Sequence, residues 1–109
     1  MKNYYFKTGI EGKDAIEVRI EYEKSAGGYC AVFSVGDKDG DLFGWHIDGD
    51  YFRYYQRPQF RLLVPCGRRS SVKEQLAREM MAQNAEQYVR EFAAAAESLG
   101  APKMQIEAA

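Results

Sequence analysis

The clearest alternation of apolar and polar side chains runs over residues 15–24. Every second residue is apolar and most of those between are charged: Ile16, Val18, Ile20 and Tyr22 alternate with Glu17, Arg19, Glu21 and Glu23. A period of two places one set of side chains on a buried face and the other in water, as in an antiparallel sheet. The pattern therefore predicts a strand with one face against a core.

Further strands are predicted from apolar runs that Gly, Asp and Pro residues separate. They cover residues 3–8, 29–35, 42–47, 50–56 and 59–64. The run at 29–35 is apolar except for Ser34, which is typical of a central strand buried on both faces. Asp48 and Gly49 are a strong hairpin signal, because a type I′ turn requires positive φ at both central positions.

Beyond residue 70 the apolar positions change to helical spacing. Ser71 and Glu74 have the spacing of a capping box, and Gly100 and Pro102 form a stop signal. The apolar stripe consists of Val72, Leu76, Met80, Ala85, Tyr88, Val89, Phe92, Ala96 and Leu99. We expect one helix over 71–99 that packs Leu76, Met80, Val89 and Phe92 on the sheet, followed by a frayed tail over 100–109.

These elements predict a single α+β domain. Residues 1–65 form an antiparallel meander of five or six strands, and one long C-terminal helix packs on one face. One helix covers only one face of such a sheet, so the other face must be polar, dimeric or a binding surface.

Composition agrees with a single domain. The chain has 109 residues, of which 46% are hydrophobic and 28% charged, as in ordinary globular proteins. No apolar stretch is long enough to span a membrane, and the N-terminal residues lack the features of a signal peptide. We therefore expect a cytoplasmic protein without a membrane partner, whose two cysteines stay reduced.

The charges are strongly segregated, although the formal net charge is only −1. Residues 51–73 contain six cations, no carboxylate and five aromatic residues, whereas residues 1–50 sum to −4 and residues 74–109 to −3. Arginines interleaved with aromatic rings suit both stacking on nucleic acids and protein–protein hot spots. The block therefore indicates a binding function.

The predicted strand at 50–56 carries the most specific candidate surface. Tyr51, Arg53, Tyr55 and Arg57 share one parity, so they form a Tyr/Arg ladder if the opposite face is buried. The predicted partner-binding residues are Tyr51, Arg53, Tyr55, Arg57, Arg61 and Trp45. A structural alternative is that the arginines pair with the five aspartates between 37 and 50.

A second candidate precedes the helix, in the run Cys66-Gly-Arg-Arg-Ser-Ser71. Backbone N–H groups and the helix dipole favour anions there, so Arg68, Arg69 and Ser71 are predicted anion contacts, with a capped helix start as the structural alternative. Cysteine phosphatases need an arginine six residues after the cysteine, and this chain has Val72 instead. We predict no catalytic residue.

Metal and cofactor sites are not predicted either. The aspartates at 37, 39 and 41 resemble the start of an EF-hand, but Leu42 stands at the sixth position and Asp48 at the twelfth, where Gly and Glu are needed. His46 is the only histidine, so a zinc site with two separated cysteines is not expected.

Three segments resemble small accessory proteins carried on bacterial conjugative elements and phages. They are Asn-Tyr-Tyr-Phe-Lys at 3–7, Ala-Ile-Glu-Val-Arg-Ile-Glu-Tyr at 15–22 and Gly-Gly-Tyr at 27–29. Such proteins include antirestriction and anti-CRISPR inhibitors, which block a nucleoprotein enzyme by binding it. The resemblance implies a class of partner, and it covers only the first third of the chain and assigns no residue a role.

We therefore expect a small non-enzymatic binding or inhibitor protein of a mobile element that engages a protein or nucleoprotein target. One alternative is a single-stranded nucleic-acid-binding protein that uses the Tyr/Arg strand face, although the net charge opposes all but weak nucleic-acid contact. A second alternative is a homodimeric structural module.

Overall fold

The computed structural model describes residues 3–10, 15–36, 45–47, 50–52, 60–98 and 101–108. Its strands are β1 (Tyr4–Lys7), β2 (Ala15–Glu23), β3 (Gly28–Gly36), β4 (Trp45–Ile47), β5 (Asp50–Phe52), β6 (Phe60–Pro65) and β7 (Glu107–Ala108). A 3-10 turn at Lys24–Ala26 joins β2 to β3, and the helix α1 covers Ser71–Ser98.

Five strands form one antiparallel sheet in the order β6-β3-β2-β1-β7. The first three strands pair in sequence as a meander, β6 adds to the outer side of β3, and β7 adds to β1. Together with the single long helix this confirms the predicted α+β fold. Among the residues described, the strands β4 and β5 pair with each other in a separate two-stranded sheet.

The core lies between this sheet and α1. In β2, Ile16, Val18 and Ile20 are buried, and they pair with Val35, Phe33 and Ala31 of β3, which are also buried. The ring of Phe33 stacks on Phe92 of the helix, with centroids 4.7 Å apart. Because alternate residues of each strand point to the same face, the period of two in the sequence gives the core face directly.

The central strand β3 is buried on both faces, as its apolar run predicts. Cys30, Val32 and Ser34 point away from the helix and are almost completely inaccessible to solvent. Arg19 of β2 lies on this far face, where it pairs with Glu21 (2.7 Å) and donates a hydrogen bond to the Ser34 hydroxyl (2.7 Å). The hydroxyl is therefore satisfied despite its burial.

The helix contacts the sheet through a stripe that differs from the predicted one in its first half. Val89 and Phe92 are buried as expected, but Leu76 is 45% exposed and Met80 is only partly buried. The buried residues are Ala77, Met81, Ala85, Tyr88, Val89, Phe92, Ala93 and Ala96. Four of these eight are alanines, because small side chains let the helix backbone approach the sheet closely.

The helix cap lies one residue earlier than predicted. The Ser70 hydroxyl accepts a hydrogen bond from the Lys73 N–H (3.3 Å), and the Ser70 carbonyl accepts one from the Glu74 N–H (2.9 Å). Ser70 is therefore the N-cap, and the predicted capping box of Ser71 with Glu74 is wrong. With Ser70 as N-cap the third helical residue is Lys73, which cannot accept a hydrogen bond, and the Ser70 N–H donates to the Tyr29 hydroxyl (2.8 Å).

The C-terminal segment is packed, in contrast to the frayed tail that we expected. Ala101, Met104 and Ile106 are buried, and β7 pairs with β1 at the edge of the sheet. The Gln105 N–H donates to the Thr8 carbonyl (2.8 Å). At the end of the helix the Ala101 N–H donates to the Ala96 carbonyl (3.0 Å), the bond by which a Schellman motif closes a helix. The predicted stop residue Gly100 lies outside the described residues.

The predicted hairpin is present. Ile47 of β4 pairs with Asp50 of β5, so two residues connect the strands, as the Asp-Gly signal requires. The rest of the predicted strands, residues 42–44 and 53–56, lies outside the described residues.

Candidate contact surface at the start of the helix

The loop between β6 and α1 is fixed to the turn between β2 and β3. The Cys66 N–H donates to the Gly27 carbonyl (2.9 Å), and Gly27 itself has the left-handed φ of 93° that glycine tolerates. At Gly28 a Cβ would collide with the Val64 carbonyl oxygen and lie 2.7 Å from the Cys66 nitrogen. A residue without a side chain is therefore required where this loop crosses β3.

Tyr22 and Tyr29 contact the loop between β6 and α1. The rings of Tyr22 and Tyr29 contact each other edge to face, with centroids 5.3 Å apart. The guanidinium carbon of Arg69 lies 5.3 Å above the Tyr22 ring, within cation–π range. The Tyr29 hydroxyl also accepts a hydrogen bond from the Ser70 N–H. Arg69 and the helix cap therefore both contact the pair of rings formed by Tyr22 and Tyr29.

The ion pairs separate Arg68 and Arg69 from the other described arginines. Four arginines pair with glutamates: Arg19–Glu21, Arg61–Glu91, Arg78–Glu74 and Arg90–Glu86. Arg68 and Arg69 have no carboxylate partner among the described residues. The same is true, within those residues, of Lys73 in the first turn of the helix. All three are exposed.

These three cations lie at the positive end of the helix dipole. Cations are stabilising near the C-terminus of a helix and unfavourable near its N-terminus. The helix dipole and the mutual repulsion of the cations therefore both oppose this arrangement, and within the described residues only Arg69 of the three gains a cation–π contact in return. An anionic group of a partner would remove this repulsion.

The same turns of the helix expose two large apolar side chains. Val72 is 76% exposed and Leu76 is 45% exposed, and they lie four residues apart on one face. We call Arg68, Arg69, Val72, Lys73 and Leu76 the helix-start surface. Sequence reasoning assigned Val72 and Leu76 to the core. The true contact stripe also has helical spacing, since Ala77, Met81, Ala85, Tyr88, Phe92 and Ala96 follow one another at intervals of three or four residues.

The structure describes the side chains of only some of the other predicted site residues. Arg61 of β6 contacts the helix α1, with its guanidinium carbon 4.5 Å from the Tyr88 ring centre and an ion pair to Glu91. Ser71 is exposed, next to the capping Ser70. Arg53, Tyr55 and Arg57 lie outside the described residues. For Trp45 and Tyr51 the strand pairing is described, opposite Phe52 and His46 respectively. The Tyr/Arg ladder thus stays a prediction.

The two thiols have different surroundings. Cys30 is buried in β3, and burial, reinforced by the nearby charge of Glu23, raises the pKa of its thiol to about 11. A thiol with that pKa is protonated at neutral pH and does not act as a nucleophile. Cys66 is half-buried, and its Sγ donates to the Arg68 carbonyl.

A groove of about 300 Å³ lies on the other flank of the helix, against β1 and β2. Its lining residues are Tyr4, Ile20, Gln75, Arg78, Glu79 and Ala82. The volume is at the lower limit for ligand sites. Its cation, Arg78, is already paired with Glu74 at 3.5 Å.

Within the described ranges, no group of three or more His, Cys, Asp or Glu residues is placed to hold a metal ion. The aspartates between 37 and 48 lie outside those ranges. The described helix is not long and apolar enough to cross a membrane.

The comparisons with known proteins give no relative. No family matches the chain, and no curated protein or solved structure is significantly similar to it.

Proposed function

We propose that this chain is a small binding protein that engages a protein or nucleoprotein target, and that the helix-start surface is part of the contact. The observation that carries the proposal is the placement of Arg68 and Arg69. The other four described arginines are ion-paired within the molecule, whereas these two are exposed and adjacent, at the end of a helix that repels them. Exposed arginines are well suited as anchors of an interface, and Arg69 is also held over the ring of Tyr22.

The class of target rests on the resemblance of residues 3–29 to accessory proteins of mobile elements. An inhibitor of a host nucleoprotein enzyme is the most specific form of the proposal. Such an inhibitor needs a rigid surface and no catalytic group of its own. The loop at Cys66 suits the first requirement, because its Cys66 N–H donates to the Gly27 carbonyl and its Ser70 N–H donates to the Tyr29 hydroxyl.

The alternative of a single-stranded nucleic-acid binder has one observation in its favour. Arg68, Arg69 and Lys73 are three cations that phosphates can neutralise. Arg61, a fourth candidate, is already engaged by Glu91 and Tyr88. Three phosphate contacts give weak binding that physiological salt largely removes, since each adds about one unit to the salt slope.

Affinity capture from a host lysate tests the proposal. The bait is the wild-type chain or the double variant Arg68→Gln/Arg69→Gln, with and without nuclease. The matched control is Arg78→Gln/Arg90→Gln, which removes the same charge from arginines that are already paired. We expect a nuclease-resistant protein target that the control retains and the Arg68/Arg69 variant loses. Equal capture by the wild-type chain and both variants would exclude this surface.

A further inference from the structure

We propose that the helix-start surface binds an acidic segment of a partner protein that also carries apolar side chains, rather than a nucleic-acid backbone. This inference rests on the binding function proposed above and specifies the chemistry of the partner. Two observations at the start of the helix support it. One is the group of cations without carboxylate partners, and the other is the exposed apolar pair beside them.

The apolar pair is adjacent to a cation. Val72 and Leu76 lie one turn apart, and Lys73 is the neighbour of Val72 and three residues before Leu76. Residues three and four apart on a helix are neighbours on its surface. A partner that reaches the ammonium group of Lys73 therefore also covers apolar surface.

The exposure of this pair is not typical of the described surface. The only other large apolar side chains exposed among the described residues are Tyr5 and Leu62. Both lie on the far face of the sheet, since they pair with Glu17 and Cys30. At the helix start, the exposed apolar pair occurs together with three exposed cations that have no carboxylate partner among the described residues.

The charge of the helix-start surface, together with its apolar side chains, indicates which kind of partner fits it. Carboxylates or phosphates would both neutralise Arg68, Arg69 and Lys73. A phosphate backbone, however, leaves Val72 and Leu76 in water, whereas an acidic segment with apolar side chains buries them and gains the hydrophobic contribution. Alternating acidic and apolar residues, as on an amphipathic helix, satisfy both parts of the surface.

Three fluorescent probes of equal charge test this inference by anisotropy at physiological salt. They are a glutamate/leucine amphipathic peptide, the same peptide with serine for leucine, and an oligothymidylate. We expect the leucine peptide to bind at least about tenfold more tightly than the other two, because only it buries the apolar pair. Equal affinity for the two peptides, or tighter binding of the oligothymidylate, would overturn the inference.

Variants separate this inference from the binding function itself. Val72→Ser/Leu76→Ser should reduce the affinity for the leucine peptide to that for the serine peptide, whereas the control Tyr5→Ser/Leu62→Ser should not change it. Arg68→Gln/Arg69→Gln should weaken the binding of both peptides. If the charge variant weakens binding and the Val72/Leu76 variant does not, only the acidic–apolar partner is wrong. If neither does, the helix-start surface is not the site.

Discussion

At the scale of single residues, polar contacts decide where α1 begins. Ser70 and Ser71 are adjacent and identical in type, and the sequence analysis predicted Ser71 as the capping residue. Tyr29 distinguishes them, because its hydroxyl binds the Ser70 N–H across the loop. A glutamate three residues after Ser71 suggested the other choice, but tertiary contact replaced the local capping box.

Two single substitutions test this assignment. Ser70→Ala removes the acceptor of the Lys73 N–H and should lower the free energy of unfolding by about 1 kcal/mol. Ser71→Ala, at an exposed position in the first turn, should change it by less than about 0.5 kcal/mol. Urea denaturation of both variants measures the difference. A larger loss for Ser71→Ala would restore the capping box.

At the scale of elements, the strands were more predictable than the contact face of the helix. The alternation at 15–24 determines β2 and its buried side. With a period of two, either the even or the odd residues face the core, and here the even ones carry the large apolar side chains. A helical stripe has no such restriction. Val72, Leu76 and Met80 fit the period as well as Ala77, Met81 and Ala85, and hydrophobicity alone favoured the larger side chains.

The two halves of the predicted stripe should therefore respond differently to truncation. Phe92→Ala removes the ring that stacks on Phe33 and should cost about 3–5 kcal/mol through lost burial and a cavity. Leu76→Ala should cost less than about 1 kcal/mol, because nearly half of that side chain is in water. Thermal melting of the two variants compares them directly. Similar losses in stability would place Leu76 in the core.

The candidate site was less predictable than the fold. The sequence identified Arg68 and Arg69 as candidate contacts, because adjacent cations before a helical pattern can be recognised from the sequence alone. It did not identify Val72 and Leu76, since the rotation of a helix on its sheet depends on packing. Arg61 is a third case. Its contacts with Tyr88 and Glu91 join residues about 30 positions apart, which no local pattern reveals.

At the scale of the whole molecule, the segment after the helix completes the structure. Its composition resembles a tail, but Met104 and Ile106 belong to the hydrophobic core, and β7 extends the sheet beside β1. Arg90 of the helix also donates to the Ile106 carbonyl (3.3 Å). The hydrophobic core, β1 and the helix thus hold a segment that contains no long apolar run of its own.

Truncation of one side chain in this segment tests its contribution. Met104→Ala should lower the free energy of unfolding by about 2–5 kcal/mol, as for a buried methionine elsewhere. Lys103→Ala is the matched control at an exposed neighbour and should be nearly neutral. Chemical denaturation measures both. A neutral Met104→Ala would indicate a frayed tail after all.

The pairing of β7 with β1 also sets an order of events during synthesis. The ribosome delivers β1 first, yet one edge of β1 finds its partner only after Ala108 has emerged. Until then the nascent chain presents β1 as an open edge, and the surface that Met104 and Ile106 later cover is accessible to chaperones and other chains. Completion of the sheet therefore waits for the segment after the helix, even though β2 and β3 are available to pair with each other earlier.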